Sequence, residues 1–312
     1  VDDARLVADG LRFPEGPMVL PDGSLLVAEM GGAAVARIRP DDGSIERIPI
    51  AGGPNGLALG PDGRVYICNN GGYALTEYGP MLLPGTGEAD VTQPEGYEGG
   101  SIQRLDLATG AVETLYTHCG DVRLRSPNDV VFDSAGGLWF TDHGKVRRHD
   151  MDRGVLYYAT ADGATIVEAA HSLYQPNGVG LAPDGSKVYV AETPTGRLWQ
   201  WDVAAPGELS KARPFGNGGG LVAGVGGLQF FDSLGVEEGG NICVATIFNP
   251  GITVITPDGD AEHVPLPGEL YDPVPTNIAW GGDDMRTAYI TLSATGRVMS
   301  CRWPRPGLRL NY

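Results

Sequence analysis

The feature that most constrains this chain is a unit that recurs six times. It consists of a polar residue, a short apolar run, a tight glycine turn and a second, strongly β-prone run. The first copy reads Glu15-Gly16-Pro17-Met18-Val19-Leu20, turns at Asp22-Gly23 and continues through residues 25–28. The second runs from Asn55 through Asp62-Gly63 to 65–68, and the third from Asn128 through Ala135-Gly136-Gly137 to 138–141. The fourth runs from Asn177 through Asp184-Gly185 to 188–191. The fifth is read from Gly226-Gly227-Leu228-Gln229-Phe230, through a longer turn at Glu238-Gly239-Gly240, to 242–246. The sixth runs from Asn277 through Gly281-Gly282-Asp283-Asp284 to 288–291. Asp-Gly between apolar runs supplies the positive φ angles a tight hairpin needs.

Third runs follow at 33–38, 101–105, 197–201 and 253–255, and a fourth is clear at 45–50. Four antiparallel strands in each unit of about 40–50 residues is the pattern of a propeller blade. The expected fold is therefore all-β, a six-bladed β-propeller. One repeat cannot bury its own faces, so residues 1–312 are expected to close as a single domain. The wide spacing between copies two and three places an inserted loop at about 73–99. The 48 glycines and 24 prolines are spread between the apolar runs, which fits short strands and turns better than a disordered tail.

A net charge of −17 argues against nucleic acid and anionic membranes as partners. No apolar run approaches the roughly 20 residues that span a bilayer. Val1-Asp2-Asp3-Ala4-Arg5 lacks the basic and apolar segments of a signal peptide, so a cytoplasmic location is expected. Cys68, Cys119, Cys243 and Cys301 form no CxxC pair and are expected to be free thiols in a reducing compartment. The expected partner is a small-molecule substrate; oligomeric state is not legible.

In a propeller the first strand of each blade lines the central channel. The heads of the six units, Glu15, Asn55, Asn128, Asn177, Gly226 and Asn277, should therefore form a ring around one axis. One carboxylate and four amides offer the hard oxygen ligands that suit Ca²⁺. Any single Asn is equally explained as turn chemistry. Four in register with a Glu point instead to one divalent cation, with Glu15, Asn128 and Asn177 as ligands. Ca²⁺ is the first expectation, and Zn²⁺, Mn²⁺, Mg²⁺ and Fe²⁺ are alternatives. Asn55 and Asn277 are expected to stand behind the ligands or to face substrate. The second strands return to the same mouth and bring Glu29, Asn69, Asn70, Asp142, His143, Glu192 and Thr193. Glu192 is a further candidate for substrate contact. His143 and Asp129 are the candidate catalytic groups, His143 first because imidazole transfers protons near neutral pH.

Three segments carry a resemblance: Phe13-Pro14-Glu15-Gly16-Pro17; Ser126-Pro127-Asn128-Asp129-Val130 leading to Leu138-Trp139-Phe140-Thr141-Asp142; and Pro176-Asn177-Gly178 leading to Pro183-Asp184-Gly185. In this order and spacing the chain resembles the senescence-marker-protein/gluconolactonase/luciferin-regenerating-enzyme family of six-bladed propellers. The resemblance implies hydrolysis of a lactone or related cyclic ester, with a divalent cation on the axis held by Glu15 and Asn177, and Asn128 as ligand or substrate-positioning group. The family's fifth blade carries an Asp at its head, where this chain is read as Gly226. That reading leaves His143 or Asp129 to relay the proton, and keeps open a non-hydrolytic enzyme on the same scaffold or a non-catalytic binding propeller. There is no GxSxG, glycine-rich phosphate loop or HExxH, so serine-triad and nucleotide chemistries have no support.

Overall fold

The computed structural model describes residues 2–86, 91–214 and 216–312. Residues 87–90, part of the expected insertion, lie outside them. Six antiparallel sheets make six blades of a β-propeller. Blade 1 is built in order from Pro14–Val19, Leu25–Glu29, Ala34–Ile38 and Ile45–Pro49. Blade 2 uses Pro54–Leu59, Val65–Asn69, Ser101–Leu105 and Val112–Tyr116. Blade 3 uses Pro127–Phe132, Gly137–Asp142, Gly154–Thr160 and Ile166–Leu173. In blade 4, Pro176–Leu181, Lys187–Glu192 and Arg197–Ala205 are followed by two outer pieces, Glu208–Ser210 and Gly220–Gly224, both paired to the third strand. Blade 5 comprises Phe230–Val236, Ile242–Ile247, Gly251–Ile255 and Ala261–Pro265.

Blade 6 is completed from the other end of the chain. Pro275–Gly281, Thr287–Leu292 and Arg297–Arg302 receive Asp2–Ala8 as their outermost strand. Among the described residues the helical content is one 3₁₀ turn, Gly268–Leu270.

The apolar residues explain why the blades form a ring. Each sheet buries both faces, and six hydrophobic clusters fill the six blade-to-blade interfaces. Tyr66, Phe132 and Phe140 pack between blades 2 and 3, and Trp139, Trp199 and Trp201 between blades 3 and 4. The second strand of blade 1, Leu25–Glu29, is buried throughout, as a strand covered on both sides must be. The first strands of neighbouring blades pack on one another, which makes them the innermost layer.

Two expectations are corrected by strand pairing. Gly226 does not head blade 5: the first strand begins at Phe230, and a Cβ placed on Gly226 would meet no atom within 4 Å. The residue that occupies the head is Asp232. Phe231 pairs with Thr246 and Leu234 with Val244, as Pro176 pairs with Glu192 and Val179 with Val190 in blade 4. The same comparison shifts blade 6 by one. Pro275 pairs with Leu292 and Ile278 with Ile290, so the head is Thr276, and Asn277 lies one residue further along the channel.

The inserted segment forms a hairpin, Leu75–Tyr78 with Met81–Pro84. It lies over the channel mouth, because its apolar side chains pack with Phe13, Met30, Ile247, Val274 and Ala294 of blades 1, 5 and 6. The Leu82 N–H donates to the Ala294 carbonyl at 2.8 Å, tying this strap across the mouth.

Candidate active site

The corrected register places Glu15, Asn55, Asn128, Asn177, Asp232 and Thr276 at equivalent positions on the six innermost strands. All six are buried. The next residue along each strand is Gly16, Gly56, Asp129, Gly178, Ser233 or Asn277. Glycine recurs there because the inner strands nearly touch. A Cβ on Gly56 would lie 2.5 Å from the Asn128 carbonyl oxygen, and one on Gly178 would lie 2.5 Å from the Leu234 nitrogen. Of the side chains present in this second layer, Ser233 reaches the neighbouring blade and Asp129 and Asn277 turn back on their own strands. Asp129, Asp232 of the ring itself and Asn277 each accept the N–H of the following residue, at 3.0, 3.0 and 2.7 Å.

Three carboxylates are thereby concentrated on the axis with no Lys or Arg among the groups that shift them. Burial pushes Glu15 well above the ordinary carboxylate range, and the charges of Asp232 and Asp129 add to the rise. Burial carries Asp232 up to about 8, against hydrogen bonds from the Ser233 backbone and the Asn177 side chain. Asp129 rises to about 7, also through burial, although Val130 and Val179 N–H groups donate to it. Two ring oxygens, Glu15 Oε2 and Asn128 Oδ1, are buried without any hydrogen-bond partner. Asn177 is oriented from both sides: Ser233 Oγ donates to its Oδ1 at 3.1 Å, and its Nδ2 donates to Thr193 Oγ1 at 3.2 Å.

This donor set fits a hard cation. Buried acceptors without donors are costly unless a positive charge satisfies them. The ligands on offer are carboxylate and amide oxygens, the chemistry of Ca²⁺ and related ions. Among the described residues no three His, Cys, Asp or Glu side chains come together as a metal-ligating set, so a cation here would draw on Asn amides beside its carboxylates.

The returning second strands divide into two roles. Glu29, Asp142 and Glu192 turn away from the channel and latch the chain entering their own blade. Glu29 Oε1 accepts the Arg12 N–H at 2.9 Å and its Oε2 pairs with Arg47 at 2.6 Å. Asp142 accepts the N–H groups of Arg125, Ser126 and Gly144. Asn69 does the same for Gly53 and Gly71. Glu192, expected to touch substrate, instead spends one oxygen on the Tyr174 N–H and the other on Thr195 Oγ1, at 2.9 and 2.8 Å. Side chains alternate along a strand, so the residue after each latch takes the channel side. These are Met30, Asn70, His143 and Thr193.

His143 is buried at this upper level, with Nδ1 3.1 Å from Tyr73 Oη of the strap and 3.3 Å from the Gly144 carbonyl. Burial, reinforced by the nearby Lys145 charge, lowers it to about 4. Imidazole is therefore neutral at neutral pH and a weak proton acceptor. Asn55 Nδ2 lies 4.0 Å from Met30 Sδ, and Asn277 sits in the second layer, the layer that Asp129 occupies on blade 3. The structure thus places Glu15, Asn128 and Asn177 at equivalent positions on their innermost strands. It adds Asp232, which sequence reading missed, moves Asn277 to the second layer, and finds Glu192 bonded to Tyr174 and Thr195.

Residues 13–294 match the model of the SMP-30/Gluconolactonase/LRE-like region. The chain belongs to this family. Within the SMP-30/gluconolactonase/LRE-like family it is 24% identical to a gluconolactonase of Zymomonas mobilis over 284 residues, which cover 82% of this chain and 70% of that protein. It is 30% identical to the diisopropyl-fluorophosphatase of Loligo vulgaris over 197 residues, 59% of this chain and 60% of the relative. The match therefore spans less than two thirds of the second relative's length. Among solved structures, regucalcin from Agrobacterium tumefaciens, described as a calcium-binding protein, superposes with a TM-score of 0.72 at 17% identity, covering 99% of this chain and 98% of that one. At that identity the likeness speaks for the family fold alone.

Proposed function

We propose that this protein is a divalent-cation-dependent hydrolase of a lactone or related cyclic ester. The observation that carries the reading is the pair of partnerless buried oxygens, Glu15 Oε2 and Asn128 Oδ1, in a ring that also holds Asp232 and Asn177. These four residues would hold the cation, and Ca²⁺ is the ion their oxygens suit best. When bound, it supplies Lewis-acid polarisation of the ester carbonyl. The names of the gluconolactonase and phosphatase relatives support hydrolysis as the reaction class.

The chain's own residues supply the rest. Asp232 takes a proton from the attacking water as its oxygen bonds to the carbonyl carbon, and returns the proton to the ring oxygen as that carbon–oxygen bond breaks. Burial, helped by the charge of Asp129, keeps the basicity of Asp232 high. Asn128 and Asn177 orient the carbonyl, and the strap keeps bulk water from the mouth. The non-hydrolytic alternative rested on Gly226 at the fifth head; with Asp232 in that position it loses its support. The test is elemental analysis of the purified protein together with hydrolysis of a lactone panel with and without chelator. Chelator-sensitive turnover restored by Ca²⁺ is expected; chelator-resistant turnover would remove the cation from the account.

A further inference from the structure

The channel mouth has two unlike halves. Over blades 2–4 its wall is polar, but most of those groups are already committed. Asn70 Nδ2 donates to Met30 Sδ at 3.1 Å, and its Oδ1 accepts the Gly72 N–H at 2.9 Å. Thr193 Oγ1 accepts from Asn177, and Lys145 Nζ donates to the Gly72 carbonyl at 2.7 Å while lying 3.7 Å over the Tyr73 ring. His143 has both its hydrogen bonds on Nδ1, which leaves Nε2 as the one uncommitted polar atom of that ring.

Over blades 1 and 5 the wall is apolar, while blade 6 contributes Ser293, engaged with Thr276 and the Pro14 carbonyl. Met30 and Ile247 are 6% and 8% exposed, and Leu82 of the strap and Phe230 pack into the same cluster. This cluster adjoins the reacting ring directly, since Met30 Sδ meets the amides of both Asn55 and Asn70. On the open side of blade 5 the rim is also apolar. Leu228 is 72% exposed and Phe248 51% exposed, with Phe248 stacked edge-on to Phe230 at 5.2 Å.

We infer that the mouth carries an apolar subsite, formed by Met30, Ile247, Phe230 and Leu82, that selects lactones bearing an alkyl or aryl substituent over polyhydroxylated sugar lactones. The inference rests on the hydrolase reading above. An alkyl chain leaving water for this wall gains with every methylene it buries. A sugar lactone must strip several hydroxyls of water, and the described polar groups of the wall over blades 2–4, Asn70, Thr193 and Lys145, are already engaged. The free Nε2 of His143 serves one polar atom of the ring being opened, and no row of hydroxyls.

The experiment compares δ-nonalactone with δ-gluconolactone, which share a six-membered ring and differ in substituents, on wild-type protein with saturating Ca²⁺. The expected result is a kcat/KM about 10-fold or more higher for δ-nonalactone. Phe230→Ser and Leu82→Ser should each narrow that ratio by raising KM for δ-nonalactone more than they lower kcat. Equal or greater efficiency on δ-gluconolactone would overturn the apolar subsite and leave the hydrolase reading standing. Turnover of neither lactone would overturn the hydrolase reading, and the substrate class with it.

Discussion

The two ends of the channel carry the same residue type in opposite states. At the turn end, Asp22 and Asp184 sit in solvent and accept hydrogen bonds from Ser24 and Ser186, whose side chains and N–H groups hold both below the usual carboxylate range. At the ring end, Asp129 and Asp232 accept backbone N–H groups too, yet burial drives them up to about 7 and 8. Hydrogen bonds of similar number are present at both ends, so desolvation decides the outcome. The repeat puts acids at the turn end of the first hairpins and, in blades 1, 3 and 5, at the ring end as well, and the ring-end acids are the desolvated ones. The turn end has room as well: a cavity of about 800 Å³, lined by Trp139, Trp280 and the C-terminal Tyr312, lies there on the axis. It reaches Asp129 and Asn277 of the second layer, but among the described residues the partnerless oxygens of Glu15 and Asn128 are not part of its lining.

The largest difference between the two ends should appear in turnover. Asp232→Asn is expected to lower kcat/KM for lactone hydrolysis by roughly 10²–10³-fold, the scale of losing a proton acceptor. Asp184→Asn, the matched change at the turn end, should leave it within about twofold, since surface changes away from a site are near neutral. Comparable losses from both would break the distinction. Next in size is cation affinity. Glu15→Gln removes a charged oxygen ligand and should weaken Ca²⁺ binding roughly a hundredfold, because affinity follows ligand charge count. Calorimetry that finds the affinity unchanged would take Glu15 out of the ligand set.

The acid–base contrast predicts a stability effect of several degrees. Groups raised in the folded state bind protons that the unfolded chain releases near pH 4. Cation-free protein should therefore lose stability as pH rises from about 4 towards the folded values of about 7 and 8 for Asp129 and Asp232. The lowered turn-end acids act in the other direction, contributing stability that is lost only as pH falls below the ordinary carboxylate range. Thermal midpoints measured in chelator between pH 5.5 and 8 should fall, Asp232→Asn should flatten the fall, and Ca²⁺ should raise the midpoint most at pH 8. A midpoint that climbs over this window in chelator would contradict the shifts. The smallest effect concerns His143. Its lowered value of about 4 means that His143→Gln should change kcat only a few-fold and move no inflection between pH 6 and 7 in the rate profile. Loss of such an inflection in the variant would restore His143 as the proton acceptor.

Blades 1 to 4 were legible because a fixed spacing links head and turn. Gly23, Gly63, Gly136 and Gly185, all at positive φ, each follow Glu15, Asn55, Asn128 and Asn177 by eight residues. The same count back from Gly240 lands on Asp232, which is the signal that was available for blade 5. It was masked because Phe231 replaces the proline that precedes the other heads, while Gly226-Gly227-Leu228 imitates a head upstream. In blade 6 the count misleads. Met285 has positive φ and points back to Asn277, but the first strand of blade 6 runs one residue further before its turn, to Gly281 paired with Thr287, and pairing puts Thr276 in the ring. The latch role of Glu192 was hidden for another reason. Adjacent residues Glu192 and Thr193 are both polar, and only the strand's alternation says which faces the channel. The strap's path across the mouth depends on long-range packing against Phe13 and Val274, which no local pattern encodes.

The central claim is that Asp232 completes the cation-binding ring and that Gly226 lies outside it. Calcium titration calorimetry on Asp232→Asn and Gly226→Asp tests it most directly. Asp232→Asn should weaken Ca²⁺ binding by roughly a hundredfold, while Gly226→Asp, a carboxylate added to an open segment, should leave it unchanged. Unchanged affinity in Asp232→Asn together with tighter binding in Gly226→Asp would contradict the account and return the fifth head to Gly226.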